Sequence, residues 1–407
     1  MSRQPRVLLC CEQYPPSVGG VQEVMRQIAE RLAAEGIEVA VATSHHPHRA
    51  PDTVRNGVRV VSFAVTGNWA KGMSGQIEEY RSFLRHGDFD AVLIKAAQQW
   101  TFDAAVDIIP ELAGRKLFIP CGFSGLQDPR YSTYFRQMPE WLRRFDGLVF
   151  YADEYQDIAF ARAHGLKSLH LIPNGVDERE FVDADDHGIR QRLGIDPEHD
   201  LILSVGSKLA GKGHWELVRA FGKTRLRRPT TLIINANSPG NRWPGMVKRQ
   251  LKHALTGRYP LSWLAWWHGR QPRKKRVLIV DLSREDLVNL YKAADLFVLA
   301  SHVEYSPLVL FEAAAAGTAF LASSAGNSGE IAAWTGGGEV MPREQATSAE
   351  VSVGVLAMAI EAMMRDPDRL KEMGCTARAN IWSRGFTWDQ IVRQYRNLML
   401  APEALLQ

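Results

Sequence analysis

At 407 residues the chain is long enough for two or three domains and too long for one small binding module. Hydrophobic residues at 45% and charged residues at 23% exclude disordered, collagen-like and disulfide-scaffold compositions. Lys plus Arg number 49 against 45 Asp plus Glu, and a net charge of +4 does not by itself imply a nucleic-acid partner.

The first apolar run, Arg6 to Cys11, predicts a strand. Val21, Val24, Ile28 and Leu32 then fall at helical spacing and predict a helix over Val21 to Glu35. Further strands are expected at Ile37 to Thr43, Val58 to Phe63, Ala91 to Lys95, Lys116 to Ile119, Gly147 to Tyr151 and Leu169 to Pro173. A second series follows at Leu201 to Gly206, Thr231 to Ala236, Val277 to Asp281, Leu296 to Ala300 and Ala319 to Ser323. Strands alternating with amphipathic stretches indicate α/β architecture with parallel sheets covered by helices. Pro173-Asn174-Gly175 is a turn signal and Val182 to His199 is polar and acid-rich, which puts a hinge near residues 174–200. The expected arrangement is two doubly wound Rossmann-like domains facing across a cleft, residues 1–180 and 181–384. From Asp366 to Leu400 the pattern reads as helical throughout, and residues 385–407 are expected to pack back on the first domain.

Three segments carry candidate chemistry. Tyr14-Pro15-Pro16-Ser17-Val18-Gly19-Gly20 joins the first strand to the first helix, where Gly19 and Gly20 let backbone amides approach an anion. Gly206-Ser207-Lys208-Leu209-Ala210-Gly211-Lys212-Gly213 nearly matches a P-loop, but Gly213 stands where the magnesium-ligating hydroxyl belongs. Lys212 beside a helix N-terminus suits a phosphate without that motif, and the bland alternative is a solvated lysine at a glycine turn. The most specific is Glu304-Tyr305-Ser306-Pro307-Leu308-Val309-Leu310-Phe311-Glu312. Ser306 suits an N-cap and Pro307 the first helical position, so the helix is expected to start between the two glutamates. Glu304 then lies on the loop, the amides of Leu308 and Val309 face outward from the first turn, and Glu312 sits inside an apolar helix where a carboxylate needs a partner.

Glu304-x7-Glu312, with Lys212-Gly213, Gly19-Gly20, Ile172-Pro173-Asn174-Gly175-Val176-Asp177 and Phe386-Thr387-Trp388, resembles the retaining glycosyltransferases of family four, which have the GT-B fold. The ordered set spans nearly the whole chain. The resemblance implies a nucleoside diphosphate sugar as substrate, bound by the second domain, with no metal and no other cofactor. It implies Glu304 and Lys212 as catalytic residues: Glu304 contacts the sugar and Lys212 neutralises the departing diphosphate. Glu312 would hold the ribose, and Gly206, Ser207, Lys208, Ser306, Pro307, Leu308, Val309, Gly19 and Gly20 would complete the donor site. In two places the chain departs from the family. Ser207 stands where an arginine is frequent, and Cys121-Gly122 replaces the usual His-Gly pair on the acceptor and sugar side.

Asp88-Phe89-Asp90, Asp183-Ala184-Asp185 and Asp366-Pro367-Asp368 are weak metal candidates, because none follows the end of a nucleotide-domain strand. Residues 241–276 hold ten cations and no acid, leaving the remainder at a net charge of −6. Arg249, Trp266, Trp267, Arg273, Lys274, Lys275 and Arg276 within it suit an anionic membrane surface, an anionic glycan groove or a solvated insertion; nucleic acid ranks below these. Cys10, Cys11, Cys121 and Cys375 show no C-x-x-C spacing, and no stretch approaches the ~18 uninterrupted apolar residues of a membrane span. The expectation is a cytoplasmic protein, peripheral on the inner membrane face if the basic segment binds lipid. The expected activity is sugar transfer to a carbohydrate or lipid-linked acceptor in bacterial-type surface polysaccharide or glycolipid synthesis. The alternatives are a non-catalytic nucleotide-sugar binder and a P-loop-like phosphotransferase.

Overall fold

A computed structural model describes residues 3–236, 261–268, 274–341 and 351–400. The chain divides into two compact units, Met1–Asn174 with Trp388–Gln407, and Gly175–Thr387. Both are Rossmann-like α/β units built on mainly parallel sheets.

Unit 1 contains β1 (Arg6–Cys10), β2 (Glu38–Ser44), β3 (Asp52–Arg55), β4 (Val58–Phe63), the separate pair β5 (Val65–Asn68) and β6 (Gly72–Gly75), β7 (Ala91–Lys95), β8 (Arg115–Ile119), β9 (Gly147–Phe150) and β10 (Leu169–Leu171). Its eight-stranded sheet has the order β10-β9-β8-β7-β1-β2-β4-β3. Only the edge strand β3 runs antiparallel to its neighbour. β3, β5 and β6 were not among the expected strands, since DTVR, VTGN and GMSG lack an apolar face to betray them.

Unit 2 contains β11 (Asp200–Val205), β12 (Thr230–Asn235), β13 (Lys275–Val280), β14 (Leu296–Leu299), β15 (Phe320–Ala322) and β16 (Gly338–Val340). They form a parallel sheet in the order β13-β12-β11-β14-β15-β16. Successive residues of β11 feed opposite faces: Leu201 and Leu203 enter one core and Ile202 the other. Burial on both faces explains the nearly continuous apolar runs read from the sequence.

The division between units falls at 174/175 and 387/388, so residues 175–180 and 385–387, expected in the first domain, belong to the second unit. The reason is local pairing. Val176 bridges Thr387, its amide donates to the Phe386 carbonyl at 3.0 Å, and Phe181 is fully buried in the unit 2 core. The acid-rich stretch expected to contain the hinge lies within unit 2 and forms the short helix Ile189–Arg192. The stretch expected to be one continuous helical region is two helices, Pro367–Ser383 and Trp388–Leu400, separated where Gly385 takes φ 78°. The second packs on unit 1 through buried Ile391, Tyr395 and Leu398. It is tied to helix Gly20–Ala34 and the residue after it by Arg31–Asp389 and by Arg396–Glu35 at 2.9 Å.

Candidate active site

In unit 2 the strand order reverses between β11 and β14, since β12 and β13 follow on one side and β15 and β16 on the other. Ligands of open α/β sheets bind beyond the carboxyl ends of the strands at such a switch point. The two most specific sequence motifs follow these two strands. They are 92 positions apart in the chain, and the sheet brings them together: the Lys212 ammonium donates to Glu304 Oε1 at 2.6 Å.

After β11, residues Ala210–Lys212 form a 3-10 turn and Gly213 turns left-handed, with φ 67°, to open the helix His214–Lys223. A side chain at Gly213 would clash, because a Cβ there would stand 1.8 Å from the Ala300 carbonyl oxygen. Gly206 lies against the His214 ring, where an added Cβ would come within 3.3 Å of Nε2. The loop after β14 is fixed to this turn and the helix it opens at three points. The His302 amide donates to the Gly211 carbonyl at 2.8 Å, His302 Nε2 lies 3.5 Å from buried Glu216 Oε2, and Lys212 holds Glu304. From the other side the Asn327 amide donates to the Tyr305 carbonyl at 2.8 Å. Val303, between His302 and Glu304, is left exposed.

The helix carrying Glu312 spans Leu308–Ala316 and starts between the two glutamates. Its cap differs from the expectation. Pro307 itself is the N-cap, with ψ 111°, and Ser306 stands outside the helix, because a proline ring restrains φ and leaves ψ free to be extended. Leu308 and Val309 occupy the first turn, whose amides have no intrahelical acceptor and so suit an anion.

Glu312 is not beside Glu304's partner. Its Oε1 receives Arg284 at 2.7 Å, and the same guanidinium grips Glu180 with two nitrogens, at 3.0 and 2.6 Å. Burial opposes the charge on Arg284, but Glu312 and Glu180 outweigh it and raise its pKa. The two glutamates of the motif therefore do different work: Glu304 belongs to a lysine at the switch point, Glu312 to an arginine at the start of helix Arg284–Ala293.

Ser207 and Lys208 lie on the β11 loop; Gly19 and Gly20 lie on the loop after β1 in unit 1, with helix Gly20–Ala34 starting at Gly20. Cys121 and Gly122 follow β8 in unit 1. The Gly122 amide donates to Asp157 Oδ2 at 2.8 Å, and Gln156 Nε2 donates to the Gly122 carbonyl at 2.7 Å.

In the basic segment, Arg249, Arg273 and the side chain of Trp266 lie outside the described residues. Trp267 and Trp263 are exposed and stack on each other with ring centroids 5.6 Å apart, and Lys274 is exposed. For Lys275 the expectation of an outward-facing cation is corrected. Its ammonium donates to the carbonyls of Phe221, Gly222 and Thr224, where it satisfies the end of helix His214–Lys223. Arg276 likewise donates to the Gly194 carbonyl. Among the described residues no three His, Cys, Asp or Glu side chains gather as metal ligands.

Four residues of the site escaped the sequence reading: His214, Glu216, His302 and Arg284. His214 was legible, because His214, Leu217, Val218 and Phe221 share one helical face and the last three are fully buried. Arg284 was not, since only tertiary structure brings it to Glu312. Burial lowers His214 from the usual 6.5 to about 4. A histidine whose folded pKa is depressed contributes fully above its unfolded pKa, and the contribution is lost as pH falls from about 6.5 toward 4. The expected cost is roughly 3 kcal/mol by pH 4. Denaturant unfolding of the wild type and His214→Phe across pH 4–8 should show this: the stability difference between them shifts toward the variant as pH falls, and a constant difference would refute the assignment.

Two family models match the chain. Residues 185–380 match "Glycosyl transferases group 1" and residues 18–180 match "Glycosyltransferase Family 4". The chain is 27% identical to a glycogen synthase of Mycobacterium tuberculosis, over 98% of this chain and 95% of that protein. Among solved structures, sucrose-phosphate synthase from Thermosynechococcus elongatus superposes with a TM-score of 0.75 at 19% identity, covering 97% of this chain and 98% of that one. HepE from Anabaena in complex with UDP superposes with a TM-score of 0.69 at 16% identity, covering 97% and 99%.

Proposed function

From its membership in the GT-B glycosyltransferases of family 4, we propose that the chain is a retaining, metal-independent transferase that uses a nucleotide sugar and serves a carbohydrate or lipid-linked acceptor in surface polysaccharide or glycolipid synthesis. One observation carries the placement of the chemistry: Lys212 and Glu304, from two loops of the unit 2 switch point, meet at 2.6 Å. That pair, the first-turn amides of Leu308 and Val309 and the close backbone at Gly206 suit a diphosphate and the sugar attached to it. UDP in the similarly folded HepE supports the same class of donor.

In the proposed reaction the bond from the anomeric carbon to the diphosphate oxygen breaks. A bond from that carbon to the acceptor oxygen forms on the same face, and the acceptor proton passes to the leaving phosphate. Lys212 stabilises the charge that grows on the diphosphate, and Glu304 faces the positive charge that grows at the sugar ring. Glu312, held in place by Arg284, accepts from ribose hydroxyls through the rest of its carboxylate.

Calorimetry and thermal shift against UDP-, GDP-, ADP- and dTDP-sugars and ATP, each with magnesium and with a chelator, test the donor. One nucleotide sugar should stabilise the protein equally with and without magnesium. Stabilisation by magnesium ATP alone would overturn the reading. Glu312→Ala should weaken donor binding by about tenfold, roughly the loss of one charged hydrogen bond. Proton NMR of the product's anomeric signal should show the configuration of the donor, and inversion would refute retention.

Among the described residues no helix is long and apolar enough to cross a membrane. The stacked Trp263 and Trp267 beside a cationic stretch favour peripheral attachment to an anionic bilayer. Liposome flotation with Arg249, Arg273 and Lys274 reversed in charge should lose the protein from the lipid layer; unchanged flotation would sink that part of the reading.

A further inference from the structure

Unit 1 has a switch point of its own. β1 and β7 are neighbours, with β2 and β4 continuing on one side and β8, β9 and β10 on the other. The crevice beyond their carboxyl ends is where a ligand fits. Lys95 is the last residue of β7 and is 1% exposed. Its ammonium donates to the Tyr151 hydroxyl at 2.8 Å and lies 4.9 Å from the centroid of that ring.

An ammonium has three donors, and a buried one ordinarily meets a carboxylate. Among the described residues none pairs with Lys95. The groups nearest its charge are the Tyr151 hydroxyl after β9, which also neighbours Tyr395 of helix Trp388–Leu400, and the thiols of Cys11 after β1 and Cys121 after β8. The buried carboxylate that acts on Cys121, Asp157, accepts from the Gly122 and Ile158 amides at 2.8 and 2.9 Å. Burial raises the pKa of both thiols, Cys11 to about 12, so neither supplies a counter-charge near neutral pH. The same burial lowers Lys95 to about 8. A core that keeps an uncompensated cation does so against its own stability.

The backbone points to the same place. Ala96, Gln98, Cys121 and Phe123, none of them glycine, take positive φ of 72°, 64°, 62° and 50° in the two loops that follow β7 and β8. Such strain gathers at ligand clamps and persists only where the surroundings enforce it. Here they do: the Ala96 amide donates to the Ile119 carbonyl at 2.8 Å, and the Gly125 amide donates to Gln98 Oε1 at 3.0 Å. Cys121, partly exposed, stands near Lys95 in the second of these loops.

We propose that Lys95 is the cationic floor of an acceptor subsite in unit 1, which takes an oxyanion, phosphate or carboxylate, carried by the acceptor sugar or polyol. The proposal rests on the transferase reading only for calling the ligand an acceptor. The oxyanion supplies the counter-charge that the fold withholds, and the two strained loops hold the carrier over it.

The test is thermal shift of the full chain with glucose 1-phosphate, glucuronic acid, glucose and UDP, on the wild type and Lys95→Met. Glucose 1-phosphate or glucuronic acid should raise the melting temperature of the wild type by about 3 °C at millimolar concentration, and glucose should not. Which of the two acts separates phosphate from carboxylate. Lys95→Met should abolish that rise and melt at or above the wild-type temperature, because a buried charge has been removed. UDP should stabilise both proteins equally, since its site is in unit 2. In the wild type, with no variant needed, the response to the active oxyanion should weaken as pH rises from 7 to 9, because Lys95 loses its proton in that interval. Equal responses in both proteins, no response to either oxyanion, or a response flat across that pH range would overturn the proposal. A failure of UDP alone would instead count against the transferase reading.

Discussion

Lys212→Met lowers kcat by about two to three orders of magnitude while changing donor affinity far less. This is the usual cost of removing one donor aimed at developing charge. In the proposed reaction the diphosphate carries more charge in the transition state than while still esterified to the sugar, so a cation placed on it would act chiefly on kcat. The structure adds a constraint that a solvated lysine would not have. Lys212 is held by Glu304 at 2.6 Å, and the Glu304 side chain is only 14% exposed. Glu304→Gln, which keeps shape and loses charge, should also lower kcat. Because the two side chains touch, the double variant should lose less than the product of the single losses. Steady-state kinetics on the four proteins measures this, and independent multiplicative effects would show that the pair does not act as a unit. A rise in KM alone, with kcat unchanged, would remove Lys212 from the chemistry and leave it a ground-state contact.

Gly213→Ala destabilises unit 2 by about 4 kcal/mol or more, in the range kept for named mechanisms such as backbone strain combined with a core clash. Two costs coincide. Gly213 has φ 67°, where a Cβ is strained, and that Cβ would stand 1.8 Å from the Ala300 carbonyl oxygen. Neither group has room to yield, since Ala300 is fully buried directly after β14 and Gly213 opens the helix His214–Lys223. For a unit of this size the melting temperature should fall by about 10 °C. Gly211→Ala is the control, because nothing lies within 4 Å of a Cβ there and its backbone is not left-handed. Calorimetric melting of both variants decides the matter, and equal melting temperatures would show that the β14–helix contact is looser than the geometry states.

Most strands of both sheets were legible, and for one reason. Parallel strands covered on both faces must be apolar along nearly their whole length, as at Val7–Cys10 and Leu201–Val205. Strands outside that regime were missed: the exposed edge Asp52–Arg55 and the glycine-rich Gly72–Gly75 have no buried face to shape their composition. Helix ends were less legible than helices. Ser306-Pro307 reads as cap and first residue, yet Pro307 caps, because proline narrows φ and leaves ψ free to be extended, here at 111°.

The candidate site divides in the same way. Glycines at forced turns, a lysine at a helix start and a carboxylate in an apolar helix are local signals, and the chain alone determined that Gly213, Lys212, Glu304 and Glu312 are exceptional. It could equally show that an acid at position 312 needs a partner, since an unpaired buried carboxylate is too costly to keep. Only the tertiary structure decided who the partners are. Lys212 reaches Glu304 across 92 positions because β11 and β14 are neighbours at the point where the strand order turns. Arg284 reaches Glu312 because the helix it starts packs beside the helix that carries the glutamate. Lys95 shows the limit most clearly. In the chain it is one polar residue at the end of an apolar run, and only the arrangement of four parallel strands around it reveals a buried cation with no carboxylate beside it.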